Sequence, residues 1–185
     1  MMKGILMFLK IVIVFIILLV GILIYAGLQP SEMHIAREIV IKASAEEVFP
    51  FINNSKKANE WMPWAEMDNQ LQMSYSGPDE GVGSTSSWNS QGQMGVGQAV
   101  VVESTLNKIV KTKLTYTKPM EMAQLAEVSL IQSAEGTTVR WAVSGQNSFI
   151  GRVFCLFFNM DKQVGGQFEK GLSKLKTMIE GKQIK

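Results

Sequence analysis

The stretch DKQVGGQFEKGLSKLKTMIE, residues 161–180, decides how the chain folds. Its apolar residues Val164, Phe168, Leu172, Leu175 and Ile179 stand four, four, three and four positions apart, the period of one helical face. Lys162, Glu169, Lys170, Lys174 and Lys176 fall on the other side, so the helix is amphipathic and one face requires a core. At about 1.5 Å per residue it reaches roughly 30 Å, enough to cross a small domain. The segments ahead of it alternate apolar and polar residues as strands do. One long helix laid across a curved antiparallel sheet buries both apolar faces most economically, an α+β architecture.

At the other end of the chain lies a different kind of segment. Residues 11–28, Ile11 to Leu28, are eighteen positions without a charge, and the next charge is Glu32. An apolar run of that length suits a transmembrane helix. A cleaved signal peptide needs a shorter apolar core and small residues at the cleavage site, and Ala26 has Ile24 at the −3 position, a poor fit. The expectation is an uncleaved anchor over residues 1–29 and a domain over residues 30–185. Lys3 and Lys10 flank the run on its N-terminal side and Glu32 on the other. The positive-inside rule then gives a single-pass protein of the cell membrane, its N-terminus cytoplasmic and its domain on the outer side. Gln29-Pro30-Ser31 ends the anchor, and so short a linker holds the domain near the bilayer.

After Leu28 there are 16 basic and 16 acidic residues, so the exported part is formally neutral. Nucleic acid is excluded as a partner, because it demands a basic face. Cys155 is the only cysteine, so no disulfide forms within the chain. It lies in the apolar run Val153 to Phe158 and is expected as a small buried hydrophobe.

Between anchor and helix the pattern is regular. His34 to Lys42 reads as a strand, with Ile35, Ile39 and Ile41 on one face. Ser44 and Glu47 make a capping box for a short helix carrying Val48, Phe49, Phe51 and Ile52, and Lys56 to Glu60 adds a further turn. Trp61-Met62-Pro63-Trp64 is dense enough in large side chains to form a wall or plug. Six strands follow, at Leu71–Tyr75, Gly83–Asn89, Gln98–Leu106, Val110–Tyr116, Ala123–Ile131 and Thr138–Ser144. Among them Val110, Leu114 and Tyr116 share one side, opposite Lys111 and Lys113, and Val139, Trp141 and Val143 share another.

This order of elements, with PWAEMD at 63–68, GPDEGVGSTSSWNS at 77–90, VGQAVVVES at 96–104, GTTVRWAVSG at 136–145 and NMDKQVGGQFEKGLSKLK at 159–176, resembles the SRPBCC superfamily. That superfamily is also called START-like or helix-grip, and the chain is most similar to its polyketide cyclase/dehydrase-like group, over about residues 35–180. The resemblance implies a helix-grip fold in which the sheet grips the long helix and leaves an apolar cavity between them. The N-terminal anchor is a departure, since many members are soluble.

Candidate sites follow from residue chemistry. Asp68, Glu103, Glu127 and Asp161 are the carboxylates nearest apolar segments, and exposed or salt-bridged positions are expected for them. One His, His34, and one Cys are too few for a zinc site of such ligands, so no metal and no cofactor is expected. The Gly-x-Gly turns at Gly81–Gly83 and Gly95–Gly97 lack a following helix and are hairpin turns, not phosphate cradles. No catalytic constellation is legible. A cavity rimmed by Trp61, Trp64, Met73, Tyr75, Trp88, Tyr116, Trp141, Phe157 and Met160 is expected instead, with the adaptable methionines suiting varied apolar ligands. Access is expected past Trp61 to Trp64 and the start of the long helix, where Gly165-Gly166 either packs closely on the sheet or lets the helix bend.

The expected function is a membrane-anchored START-like domain binding a hydrophobic small molecule or lipid between sheet and C-terminal helix. Two alternatives stand beside it. One is a cyclase- or hydrolase-like enzyme using Glu103 or Glu127 with Tyr75 or Tyr116 as donor. The other is a chaperone-like interaction domain with a filled core.

Overall fold

The computed structural model describes residues 2–92 and 94–181, without the side chains of residues 2–6 and 65; the Lys3 charge thus lies outside the described side chains. The chain divides into two compact units. One joins residues 1–33 to 146–160, the other residues 34–145 to 161–185.

The larger unit is built on seven strands: β1 (Glu32–Ile41), β2 (Gln72–Ser76), β3 (Thr85–Asn89), β4 (Val96–Thr105), β5 (Ile109–Lys118), β6 (Met122–Ser133) and β7 (Gly136–Gln146). They form one sheet in the order β1-β7-β6-β5-β4-β3-β2, antiparallel at each ladder from β2 to β7. The expected seven strands are all present, with ends displaced by at most two residues. β-Bulges at Val96/Gly97 and Val101/Glu103 add bend to β4.

Strand parity gives the sheet two faces. Across the ladders Val139 faces Leu130, Trp141 faces Val128, and Val128 faces Val110. All five are buried, and they define the concave side. Lys111 faces Glu103 on one neighbour and Glu127 on the other, so that row lies on the opposite, convex side.

Short helices α2 (Ala45–Asn53), α3 (Ser55–Trp61) and α4 (Trp64–Met67) close one end. The capping box is formed: the Glu47 amide donates to Ser44 Oγ at 3.3 Å, and the Ser44 amide donates to Glu47 Oε2 at 2.7 Å. The long helix α6 (Met160–Glu180) lies across the β1–β7 side with Phe168, Leu172, Leu175 and Ile179 of the face read from the sequence buried and Val164 half-buried. At its N-terminal end Arg37 of β1 clamps it. Arg37 Nε donates to Glu169 Oε1 at 2.8 Å, and its terminal nitrogens donate to the Asp161 carboxylate at 2.9 and 3.1 Å. These bonds hold the Asp161 carboxyl below its ordinary range.

The adjacent glycines Gly165 and Gly166 of α6 differ, which separates the joint reading of them. A Cβ on Gly165 would overlap the Arg37 guanidinium, whereas one on Gly166 would meet nothing within 4 Å. Gly166→Ala is therefore expected to stabilise by about 1 kcal/mol, the helix-propensity difference. Gly165→Ala is expected to destabilise, because its methyl displaces the clamp. Thermal melts of the two single variants in opposite directions are the expected result, and shifts of the same sign would refute it.

The smaller unit holds α1 (Met2–Leu28) and α5 (Phe149–Phe157). Residues 7–28 of α1 are long and apolar enough to cross a membrane, and of that stretch Ala26 alone is buried. The sequence reading did not anticipate α5. Ser148 caps it, its Oγ accepting from the Gly151 amide at 3.1 Å. The expectation for Cys155 is corrected here: no residue of α5 is buried, and Cys155 is half-buried, because the run coils into a helix instead of entering the core.

Candidate functional site

The nine aromatic and methionine positions singled out from the sequence fall into separate groups. Trp61, Trp64 and Trp141 come together under α6. Trp141 stacks on Phe168 at 4.0 Å and 11° between planes, Trp61 meets Trp141 edge-on at 5.0 Å, and Trp64 meets it edge-on at 5.9 Å. The Trp61 indole is wholly buried and donates to the Phe51 carbonyl at 3.0 Å. This aromatic block fills the space between sheet and helix on the β1–β7 side. It is a plug; only Trp64 keeps a half-exposed surface.

Trp88 and Tyr116 form a second pair on the same concave face, edge-on at 5.2 Å. Trp88 Nε1 donates to the Met94 carbonyl at 3.1 Å. Gly97 makes room for this indole. It pairs with Trp88 on one side and Tyr116 on the other, and a Cβ there would overlap Trp88 Cζ2 and approach the Thr115 carbonyl to 2.6 Å. Met73 extends the row on β2, opposite Trp88. Along the middle strands the row continues through Ala99, Leu114, Gln124, Ala126 and Thr112, all half-buried. Burial pushes the Tyr116 phenol above its ordinary range, so at neutral pH it is a hydroxyl able to donate.

The concave face is thus half plugged and half open. The open half is mainly apolar, with the small residues Gly97, Ala99 and Ala126 on its floor and Tyr116, Gln124 and Thr112 as polar groups. Sequence reasoning missed its floor. Gly97, Ala99 and Ala126 attract no notice as residues; the available signal was small residues at inward parity opposite a tryptophan.

Three expected positions stand apart from these groups. Tyr75 shares the Met73 side of edge strand β2, opposite Ser86, but is exposed and lines a small polar depression of about 100 Å³ with Ser55, Lys56, Asp79 and Ser84. Phe157 ends α5 and Met160 begins α6, both in the smaller unit.

The carboxylates are accounted for one by one. Glu103 pairs with Lys111 at 2.8 Å on the convex side, and Glu127 stands on the same side, so neither reaches Tyr116. Asp161 belongs to the Arg37 clamp. Asp68 departs from the expectation of an exposed or salt-bridged group. It is buried, accepting from Ser90 Oγ at 2.7 Å, the Met94 amide at 3.0 Å and the Gln70 amide at 3.0 Å. Those bonds tie the loop before β4 to the end of α4, a structural knot in place of a proton-transfer site. His34 lies at the surface beside Arg140.

Residues 32–180 match the family model described as polyketide cyclase / dehydrase and lipid transport. The chain belongs to that family. The match covers every strand and the whole of the helical grip, and the resemblance read from the sequence is thereby borne out. No curated protein matches the sequence. Solved structures share the fold at low identity. A protein of unknown function from Staphylococcus aureus has a TM-score of 0.60 at 13% identity, covering 83% of this chain and 97% of its own. The Aha1 dimer from Colwellia psychrerythraea has a TM-score of 0.57 at 21% identity, covering 80% and 96%. The di-domain ARO/CYC StfQ from the steffimycin biosynthetic pathway has a TM-score of 0.58 at 8% identity, covering 82% of this chain and 52% of that one. The family description points to a domain that binds hydrophobic ligands.

Proposed function

We propose that this protein is a membrane-anchored domain that holds a hydrophobic small molecule or lipid on the open half of its concave face. Residues 1–29 are the anchor and residues 30–185 the binding domain, exported to the outer side of the membrane. The observation that carries the reading is the row Tyr116, Leu114, Ala99 and Ala126, left half-buried next to the buried Trp88–Gly97 pair, while Trp61 and Trp141 of the aromatic block are buried. Incompletely covered apolar faces of this kind mark ligand-binding grooves. Among the sequence candidates, Trp88, Tyr116 and Met73 wall the ligand, Trp64 borders it, and Trp61 and Trp141 support it from inside the plug. With Glu103 and Glu127 on the convex side, binding is favoured over cyclase chemistry.

The test uses a fluorescent fatty acid and the full chain in detergent micelles. Energy transfer from Trp88 to the bound probe is expected, and Ala126→Phe, which fills the open half, is expected to weaken binding more than about tenfold, ~1.4 kcal/mol. Unchanged binding in Ala126→Phe places the ligand elsewhere, and no binding at all favours the interaction domain with a filled core. An alkaline phosphatase fusion at the C-terminus, active only outside the cytoplasm, checks the topology.

A further inference from the structure

α5 is short and almost entirely apolar, and it does not contribute to the core. Ile150, Phe154 and Phe157 are 67%, 48% and 65% exposed, and Phe158, which caps the helix and stacks on Phe154 at 4.2 Å, is 44% exposed. At 3.6 residues per turn Ile150, Phe154 and Phe157 fall within about 60° of one another, with Phe158 beside them. Arg152 is the only charged residue among the nine.

The opposite side of α5 is occupied, and its neighbour is the end of α1. Arg152 donates through one terminal nitrogen to the carbonyls of Gly27 and Gln29, at 2.9 and 3.0 Å. Those are carbonyls a helix C-terminus otherwise leaves without partners, and a cation there also complements the helix dipole. The Arg152 guanidinium lies 5.6 Å from the Phe149 ring centre, and the Phe149 ring comes within 3.9 Å of where a Cβ of Gly27 would stand. The Asn147 amide donates to the Ser31 carbonyl at 2.6 Å, holding the start of α5 to the chain that leaves α1.

We propose that α5 is a second membrane contact, its Ile150, Phe154, Phe157 and Phe158 face inserted into the lipid interface of the leaflet where α1 ends. The inference rests on reading α1 as a membrane span. A helix fixed to the last turn of a span is carried to the depth at which that span leaves the hydrocarbon. Nine residues make about 14 Å, less than half the hydrocarbon thickness of about 30 Å, so α5 lies in the interface and does not cross. Interfacial helices bury an apolar face about 5–10 Å into the headgroup–acyl boundary, a depth that phenylalanine side chains reach. Arg152, held to the carbonyls of α1, sits where a guanidinium is tolerated, at headgroup level. Unlike the anchor alone, which leaves rotation about its axis free, two contacts fix how the chain that follows leaves the membrane.

The full chain in phosphatidylcholine–phosphatidylglycerol vesicles provides the test. Nitroxide labels go on Phe157→Cys, Phe154→Cys, Ile17→Cys and Leu106→Cys, each in a Cys155→Ala background. Power saturation compares oxygen, concentrated among acyl chains, with a water-soluble nickel chelate. Ile17 on α1 and both α5 labels are expected to favour oxygen, and Leu106, 72% exposed on the β4–β5 connection, to favour nickel. Nickel-accessible α5 labels beside an oxygen-favouring Ile17 overturn the proposal and leave the anchor standing. α5 labels shielded from both reagents mean that protein covers the face, which also overturns it. A nickel-accessible Ile17 overturns the span itself, and α5 with it.

Discussion

Phe168→Ala is expected to lower stability by about 3–5 kcal/mol, the range for removing a large aromatic from a packed core. Phe168 is 3% exposed, stacked at 4.0 Å on Trp141 and edge-on at 6.5 Å to Trp64, with Leu172 and Leu175 buried on the same helix face. The hole has little chance to collapse. Gly171 of α6 already sits so near the plug that a Cβ would come within 3.0 Å of Trp141 and 3.2 Å of Pro63, and the Arg37 clamp fixes the other end. The comparison is Lys174→Ala. Lys174 forms an exposed ion pair with Glu66, and such pairs contribute little, so its loss is expected to cost within about 0.5 kcal/mol. Urea melts in detergent micelles, followed by near-ultraviolet circular dichroism, measure both as midpoint shifts at constant slope. Equal shifts would show that the gripping face is misassigned.

The second large effect belongs to Gly97→Ala. One methyl there runs into Trp88 Cζ2 and the Thr115 carbonyl, so either the indole moves or β4 parts from β5. Neither gives easily: the indole is hydrogen-bonded to Met94 and edge-on to Tyr116, and the carbonyl is backbone in the sheet. Overpacking of this kind costs typically about 1–3 kcal/mol, and the upper end is expected because one of the clashing groups is main chain. Probe binding is expected to fall as well, since the displaced indole moves into the open half of the face. A Gly97→Ala chain as stable as the parent, with the probe bound as before, would contradict the assignment of Gly97 as the floor of the site.

What the sequence determined by itself was everything carried by short-range period. The 3.6-residue spacing of Phe168, Leu172, Leu175 and Ile179 identified α6 and its buried face, and alternation at Val139, Trp141 and Val143 identified the inward side of β7. The Ser44–Glu47 cap and the uncharged run ending at Leu28 belong to the same class, because each depends only on residues within a few turns of chain. Whether an inward aromatic is plug or wall is not a local property. Trp141 and Trp88 look alike in sequence, but α6 crosses one and leaves the other on the open half, and only the register of seven strands places them. The same holds for Asp68, whose burial depends on Ser90 and Met94 folding back over it, and for Gly165 and Gly166, which differ because one faces Arg37. The apolar run around Cys155 was misread for a related reason. Hydrophobicity shows that a segment avoids water, but what shields it is fixed by the element it packs against, and for α5 that element is the end of α1, more than a hundred residues away in sequence.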